Sequence, residues 1–370
     1  VHLMRCAARL FESSELAELL PSRRSESSLG PMTDERLDAL DPIECTEAIA
    51  YDFLARGGKH SRPFITLAAY DALSGDRCTG PDGGRQVDQI PAVVRRMALA
   101  IESFHKASLV HDDIEDDDAF RYDSPTLHRR HGMATAINVG DFLVGVGYRL
   151  VSSSSTDMPA ETTADLLSLF SSAHTRLCEG QGAELIWRDA RKKRLEPIDA
   201  LKIYALKTAP AFQAALLAGL RLAGPVDELT ESADRFSRHL GIAYQILNDL
   251  DDWNDPRDGV MAGKKTCADD LLSGRPTILW ALALQSLDSS DADRLLATVE
   301  SDEPPKKRIA DALALYQKAD VFTKAEQLVA RHAARAIEAA DAIGNQPLAH
   351  LMHFLVDAIL DRRPLAINEG

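Results

Sequence analysis

Residues 93–118 read VVRRMALAIESFHKASLVHDDIEDDD. Apolar residues recur at three- and four-residue spacing as far as Val110, the period of a helix with one buried face, and six acids then fill seven positions, 112–118. If the helix continues into them, Asp112 and Asp116 stand one turn apart and Asp113 faces Asp116 and Asp117. Like charges at that spacing repel, and the negative pole at a helix C-terminus adds to the repulsion unless cations arrive. Outward from this stretch, the same period runs through 43–56, 160–185, 198–223, 227–255 and 304–362. Leucine and alanine dominate these segments and no convincing alternating strand interrupts them. An all-α fold is therefore expected.

The chain has 370 residues, 45% of them apolar and spread along its length, which suits a sizeable core. Turn-rich breaks fall at 21–31, 74–91, 152–160 and 256–265, and none is long enough to force a domain boundary. Residues 1–31 read as an N-terminal leader, partly helical, ahead of one all-α domain over 32–370. The basic run RDARKKRLEP, 188–197, reads as a solvated loop. With 42 basic and 57 acidic side chains the formal charge is −15, which argues against a general affinity for nucleic acid or anionic membranes. No run approaches the roughly 18 to 20 uninterrupted apolar residues of a spanning helix, so no stable membrane insertion is expected. Five scattered cysteines without a CxxC pair suggest neither a disulfide framework nor a zinc site, and fit a reducing cytoplasm.

The second acidic stretch is GIAYQILNDLDDWND, 241–255. Asn248, Asp249 and Asp252 repeat the spacing of Asp112, Asp113 and Asp116, again at the end of an apolar helical run. One such cluster is as well read as a solvated helix end; two at one spacing suggest two walls of one cavity. Magnesium suits them, because it takes hard oxygen ligands, usually one or two carboxylates, and completes its shell with water and phosphate oxygens. Calcium fits less well, since no EF-hand loop surrounds the acids.

GGKHSRPF, 57–64, supplies the opposite charge. Gly57 and Gly58 end helices well, while Ser61 and Pro63 start them, so Lys59 and Arg62 project from a corner beside a helix N-terminus, a good place for an anion. In KIYALKTAPAF, 202–212, Pro210 withholds a donor and should kink the helix near Lys207 and Thr208. Gln245, one turn before Asp249, is equally compatible with a core amide. Carboxylates with magnesium on one side and Lys59 with Arg62 on the other describe a site for two diphosphates. There a Lewis acid would assist departure of one, and an apolar cavity would protect the resulting cation from water.

Over roughly residues 40–290 the chain resembles the trans-isoprenyl diphosphate synthases, which include farnesyl and geranylgeranyl diphosphate synthases. The resemblance rests on GGKHSRP, FHKASLVHDDIEDDD, the GD of NVGDFL, the GQ of CEGQGAEL, Lys207–Thr208, QILNDLDD and GKK at 263–265. It implies the all-α isoprenoid synthase type I fold, a single large helical bundle around a central cavity, usually a homodimer. It also implies three magnesium ions joining an allylic diphosphate to Asp112, Asp113, Asp116 and the second cluster (Asn248, Asp249, Asp252). Gly58, Lys59, Arg62 and His105 would bind isopentenyl diphosphate; Arg121, Lys207, Thr208, Gln245 and Lys264, with Arg275, would grip the allylic diphosphate. Arg121, Lys207, Thr208 and Gln245 would thereby serve the catalytic ionisation, after which the isopentenyl double bond attacks the allylic cation.

Three departures stand out. Such families usually show paired arginines after the first cluster, whereas Tyr122 follows Arg121; Asn248 stands where aspartate is usual; and an expected lysine is Arg275. His128 and His131 read as packing or surface residues. Chain length has a physical handle, since Ser108 and Ala107 lie about one turn before Asp112 and are small, leaving Phe104 a further turn down as the next floor for a growing tail. A product longer than fifteen carbons follows, with geranylgeranyl diphosphate favoured. Two other readings are a catalytically silent partner subunit, supported by Tyr122 and Asn248, and a class I terpene cyclase, which would want serine or threonine at 252 and glutamate at 256 in place of Asp252 and Pro256.

Overall fold

The computed structural model describes residues 2–20, 29–75, 90–190, 193–253 and 268–360. Among them are eighteen α-helices and one hairpin of two-residue strands, Phe120–Arg121 with Ser124–Pro125, so the all-α expectation holds. Chain contacts divide into two compact units, Val1–Ser172 with Ala214–Glu228, and Ala173–Gln213 with Leu229–Gly370.

The first unit is organised around the helix Ala92–Glu115. Its Val94, Met97, Ala98, Leu99 and Ala100 are fully buried, and it packs most extensively on Met133–Ser152. The hydroxyl of buried Ser103 donates to the Leu143 carbonyl at 2.8 Å, fixing the register of the two helices. Pro42–Ala55 and Ser61–Ser74 pack against the same core. The first begins with Asp41 accepting from the Ile43 amide and Pro42 in the first turn, an N-terminus of the usual chemistry.

The expected leader begins with two helices, His2–Arg9 and Ser13–Leu19. They bury Cys6, Ala7, Leu10, Phe11, Leu16 and Leu19 in this unit. Arg95, itself buried, binds Glu15 at 2.6 Å and Glu18 at 2.7 Å. Two acids of this segment are thus partners of a buried guanidinium about eighty positions away. Residues 21–28 lie outside the described residues.

In the second unit, Tyr204, Ile246, Leu279, Trp280 and Tyr316 belong to one core shared by Pro197–Lys207, Asp227–Asp252, Ile278–Ser286 and Pro305–Lys318. The stretch Pro197–Ala223 is long and apolar enough by length and composition to cross a membrane, yet 72% of its apolar window is buried inside the protein. It is broken at Thr208, whose φ of −127° and ψ of −46° leave the helix, two residues before Pro210.

Burial, followed by the charges of His239, Arg335 and Arg331, lowers the His332 pKa to about 4, and its Nδ1 lies 3.0 Å from that of His239. An unfolded histidine takes its proton near pH 6.5. As pH falls from there towards 4, the unfolded chain binds the proton and the folded one does not, so stability is lost across that window. The denaturation midpoint is expected to fall on acidification from pH 7 to 5, with His332→Gln showing a shallower slope. An unchanged slope in the variant would contradict this assignment.

Candidate active site

The first acidic helix end lies in the first unit, and its three aspartates are not equivalent. Asp116 is the C-cap, its amide bonded to the Asp112 carbonyl at 2.9 Å, and both residues are partly exposed. Asp113 is 1% exposed. Its Oδ1 accepts from Arg121 through Nε at 2.9 Å and through Nη2. Its Oδ2 is buried without a partner, an anionic oxygen that a cation would satisfy. Burial raises the Asp113 pKa and Arg121 opposes the rise. Arg121 is delivered by the hairpin, whose turn residues Tyr122 and Asp123 have φ of 53° and 59°. Two successive left-handed residues make the tight two-residue hairpin turn. Arg121, assigned from the resemblance to a diphosphate, is here also the partner of Asp113, with Asp118 at 3.5 Å.

The cationic corner lies in the same unit. Gly57, Gly58 and His60 have φ of 47°, 107° and 46°, a left-handed course that the two glycines adopt without strain. It leaves Gly58 and Lys59 exposed just ahead of Ser61, where the next helix begins. Arg62 follows in that helix's first turn. His60 stacks on Phe11 of the N-terminal segment at 4.3 Å, and burial and Lys106 lower its pKa to about 4. His105 sits on the acidic helix, two turns before Asp112. Burial, then the charges of Arg62, Lys106, Arg121 and His60, hold its pKa well below the usual histidine value. A neutral His105 ringed by cations adds a hydrogen-bonding group without further charge.

Asp112, Ser108 and Phe104 form one stripe at four-residue intervals. Ser108 is exposed, whereas Ala107 turns into the core at 1% exposure, so of the two small residues only Ser108 shares the face of Asp112. Phe104 packs on Tyr148 at 4.9 Å and Phe170 at 5.7 Å between ring centroids. It also lies against Gly147, where a Cβ would come within 2.7 Å of the ring.

The second unit holds the other predicted residues. Lys207 pairs with Glu184 at 2.8 Å. Gln245 Nε2 donates to the Thr208 hydroxyl at 2.6 Å, and Asn248 Nδ2 donates to Gln245 Oε1 at 3.3 Å. Asn248 is exposed, and with Nδ2 engaged as the donor to Gln245 its other amide atom is a neutral oxygen. Asp249 is buried. Its Oδ2 accepts from the Tyr204 hydroxyl and, at 3.0 Å, from the Ile278 amide. Burial and the charge of Asp270 hold its pKa well above the carboxylate range. Asp252 accepts from the amides of Asp269 at 3.2 Å and Asp270 at 3.1 Å; burial and Asp270 raise its pKa to about 7. Arg275 lies 3.5 Å from Asp270. Lys264 lies outside the described residues.

Among the described residues, no three acids, histidines or cysteines form a group able to hold a metal unaided. The donors do fit magnesium. Partly exposed carboxylates at 112 and 116, the unpartnered Oδ2 of Asp113 and the amide oxygen of Asn248 are hard oxygens, and magnesium needs only one or two from protein when phosphate supplies the rest. Sequence reasoning missed Lys106, Glu184 and Tyr204. For Tyr204 a signal existed: Asp249 lies three and seven residues after Ile246 and Ile242, the buried phase of its helix, so a partner deep in the core was required.

Acid-ended helices and a glycine-bent cationic corner on an all-α frame define a protein equipped to bind polyanions through metal ions and side-chain cations together. The chain belongs to the polyprenyl synthetase family, whose model matches residues 43–316. It is 25% identical over 334 residues to a short chain isoprenyl diphosphate synthase of Methanothermobacter thermautotrophicus, covering 90% of this chain and 95% of that one. The fold matches a geranylgeranyl pyrophosphate synthetase of Pyrococcus horikoshii with a TM-score of 0.77 and 26% identity over 98% of each chain. It also matches a Corynebacterium glutamicum geranylgeranyl pyrophosphate synthase complexed with isoprenyl diphosphate and magnesium, at a TM-score of 0.74 and 21% identity over 98% of each chain.

Proposed function

We propose that the protein joins isopentenyl diphosphate head-to-tail to an allylic diphosphate by magnesium-assisted ionisation and that it acts as a homodimer, with geranylgeranyl diphosphate the principal product. The observation that carries this reading is the placement, within one unit, of a cationic corner and an acidic helix end joined by Ala92–Glu115. A single diphosphate would need either cations or metal-binding acids; the presence of both suits two.

In this reading Lys59, Arg62 and neutral His105 bind the isopentenyl diphosphate, with Gly58 allowing close approach of the backbone. Asp112, Asp113 and Asp116 would hold magnesium, as would Asn248, Asp249 and Asp252, with three ions in all. Magnesium, when bound, supplies Lewis-acid stabilisation of the departing diphosphate. Arg121, Lys207, Thr208, Gln245, Lys264 and Arg275 orient that group. Asn248 contributes a neutral oxygen where aspartate is usual, so the first cluster binds metal more strongly than the second.

Phe104 sets tail length by closing the stripe that begins at Asp112, backed by Tyr148 and Phe170. Purified protein given magnesium and isopentenyl diphosphate is expected to accumulate the twenty-carbon diphosphate from ten- or fifteen-carbon allylic primers and to extend a twenty-carbon primer little. Phe104→Ala is expected to shift the principal product by at least one five-carbon unit, since the side chain spans roughly the height of one helical turn. An unchanged product distribution would remove Phe104 as the floor, and absence of condensation with every primer would sink the reading itself.

A further inference from the structure

Lys106 is fully buried one residue beyond His105, on a helix where the sequence pattern gave it no role. Its ammonium donates to the carbonyl of Arg56 and, at 3.0 Å, to that of Gly57. It lies 4.1 Å from the centroid of the Tyr122 ring and 5.5 Å from that of Phe53. Arg56 is the C-cap of Pro42–Ala55, so the two carbonyls belong to the negative end of a helix. Glu102, one turn earlier and buried, is the acid whose charge bears most on Lys106, and among the described residues no carboxylate forms an ion pair with the ammonium. Two carbonyl dipoles and the Tyr122 ring face lie directly against the ammonium and form a cage for it, while burial lowers its pKa to about 8 and the charges of Glu102, Arg121 and Arg56 also act on it.

The cage is the underside of the diphosphate corner. Tyr122 lies against Gly57, where a Cβ would meet the ring at 2.7 Å, and a Cβ on Gly58 would lie 3.5 Å from the Tyr122 hydroxyl and 3.8 Å from the Lys106 ammonium. Position 122 is also where the resemblance leads one to expect a second arginine. A guanidinium in the place of the Tyr122 ring would meet the Lys106 ammonium in a buried site, where like charges about 4 Å apart repel strongly. The two cations exclude each other, whereas a tyrosine ring attracts the one that remains.

We infer that Lys106 is a positioning residue for isopentenyl diphosphate binding: it holds the Arg56 and Gly57 carbonyls beneath the Gly57–His60 turn and supplies, from the helix, the positive charge that Tyr122 gives up. This rests on the reading of the corner as the isopentenyl site. Lys106 does not touch substrate. It fixes the turn so that Lys59 and the backbone of Gly58 stay exposed, and its charge favours the anion bound above. The Lys106–Tyr122 pair is thereby an exchange, which makes Tyr122 compatible with an active enzyme.

The test is steady-state kinetics of the full chain with magnesium, varying each diphosphate while the other is saturating, for Lys106→Met, Tyr122→Arg, the double variant and Lys59→Ala. Lys106→Met and Tyr122→Arg are each expected to raise KM for isopentenyl diphosphate roughly tenfold or more, the first by removing a buried charge and the second by crowding it, with KM for the allylic substrate changed less than about threefold. The double variant should return to within about threefold of wild type, because one cation is again present in the cage. Additive losses in the double variant would overturn the exchange, as would parallel changes in both KM values. If Lys106→Met fails to fold, recovery of folded protein on adding Tyr122→Arg supports the exchange, and continued failure overturns it. Lys59→Ala separates the two levels: an unchanged KM for isopentenyl diphosphate defeats the corner reading, whereas a raised KM with Lys106→Met silent defeats only the inference about Lys106.

Discussion

Replacing Asp112 with alanine is expected to lower the condensation rate by roughly three orders of magnitude, about 4 kcal/mol of transition-state stabilisation, with little change in the denaturation midpoint. Asp112 is partly exposed at the end of Ala92–Glu115, whereas Asp113 is buried. The negative charges around it repel one another in the free protein, and deleting one relieves that repulsion. What the substitution removes is an oxygen donor for magnesium where charge develops on the departing diphosphate. Asp113→Ala should behave differently. It is expected to lower both activity and stability, because Arg121 would lose the carboxylate it holds in a largely buried site. Rates from single-turnover condensation, set beside urea midpoints, separate the two. Equal destabilisation by both variants would contradict the distinction.

Asp249→Ala carries the second large effect. The Tyr204 hydroxyl would lose its acceptor in a core closed by Tyr316 and Trp280, and the Ile278 amide would keep only the tyrosine oxygen, at 2.8 Å. A stranded buried donor costs about 1–3 kcal/mol, and loss of the carboxylate volume adds to it. Urea denaturation should show a midpoint lowered accordingly, with condensation reduced as well. Tyr204→Phe is the informative companion. It removes the hydroxyl without removing the carboxylate, so it should cost less stability and leave magnesium dependence in place. If Asp249→Ala reduced activity with no loss of stability, its role would be confined to metal binding and the hub described here would be wrong.

Both contrasts rest on a feature that was partly legible in the sequence. The two acidic clusters are matched in spacing, and in each the second residue is buried while the first is the more accessible: Asp113 is 1% exposed and Asp249 6%. Helical phase contains this, because Asp113 follows Val110 and Lys106 by three and seven residues just as Asp249 follows Ile246 and Ile242. Reading each cluster as equivalent ligands overlooked that phase. The helix Ala92–Glu115 was evident because its apolar period is long and uninterrupted. The hairpin at 120–125 was not, since strands of two residues carry no alternation and a Tyr-Asp turn lacks the Asn-Gly or Asp-Gly signature. The N-terminal segment was expected to be partly helical, but its burial against the core was not legible, for another reason. Its charged residues find a partner, Arg95, that no local pattern connects to them. Lys106 was hidden in the same way, its cage assembled from Phe53, Arg56 and Gly57 on one segment and Tyr122 on another.

The central claim is that this chain forms a carbon–carbon bond between two diphosphates in a magnesium-dependent reaction. Its most direct test is to mix the pure protein with farnesyl diphosphate and isotopically labelled isopentenyl diphosphate, with magnesium or with a chelator, and to measure released diphosphate and labelled product together. The account predicts one diphosphate released for each labelled five-carbon unit incorporated, a twenty-carbon diphosphate as the first product, and neither signal in the chelator. Release of diphosphate with a hydrocarbon or alcohol and no incorporated label, or no reaction with magnesium present, would contradict it.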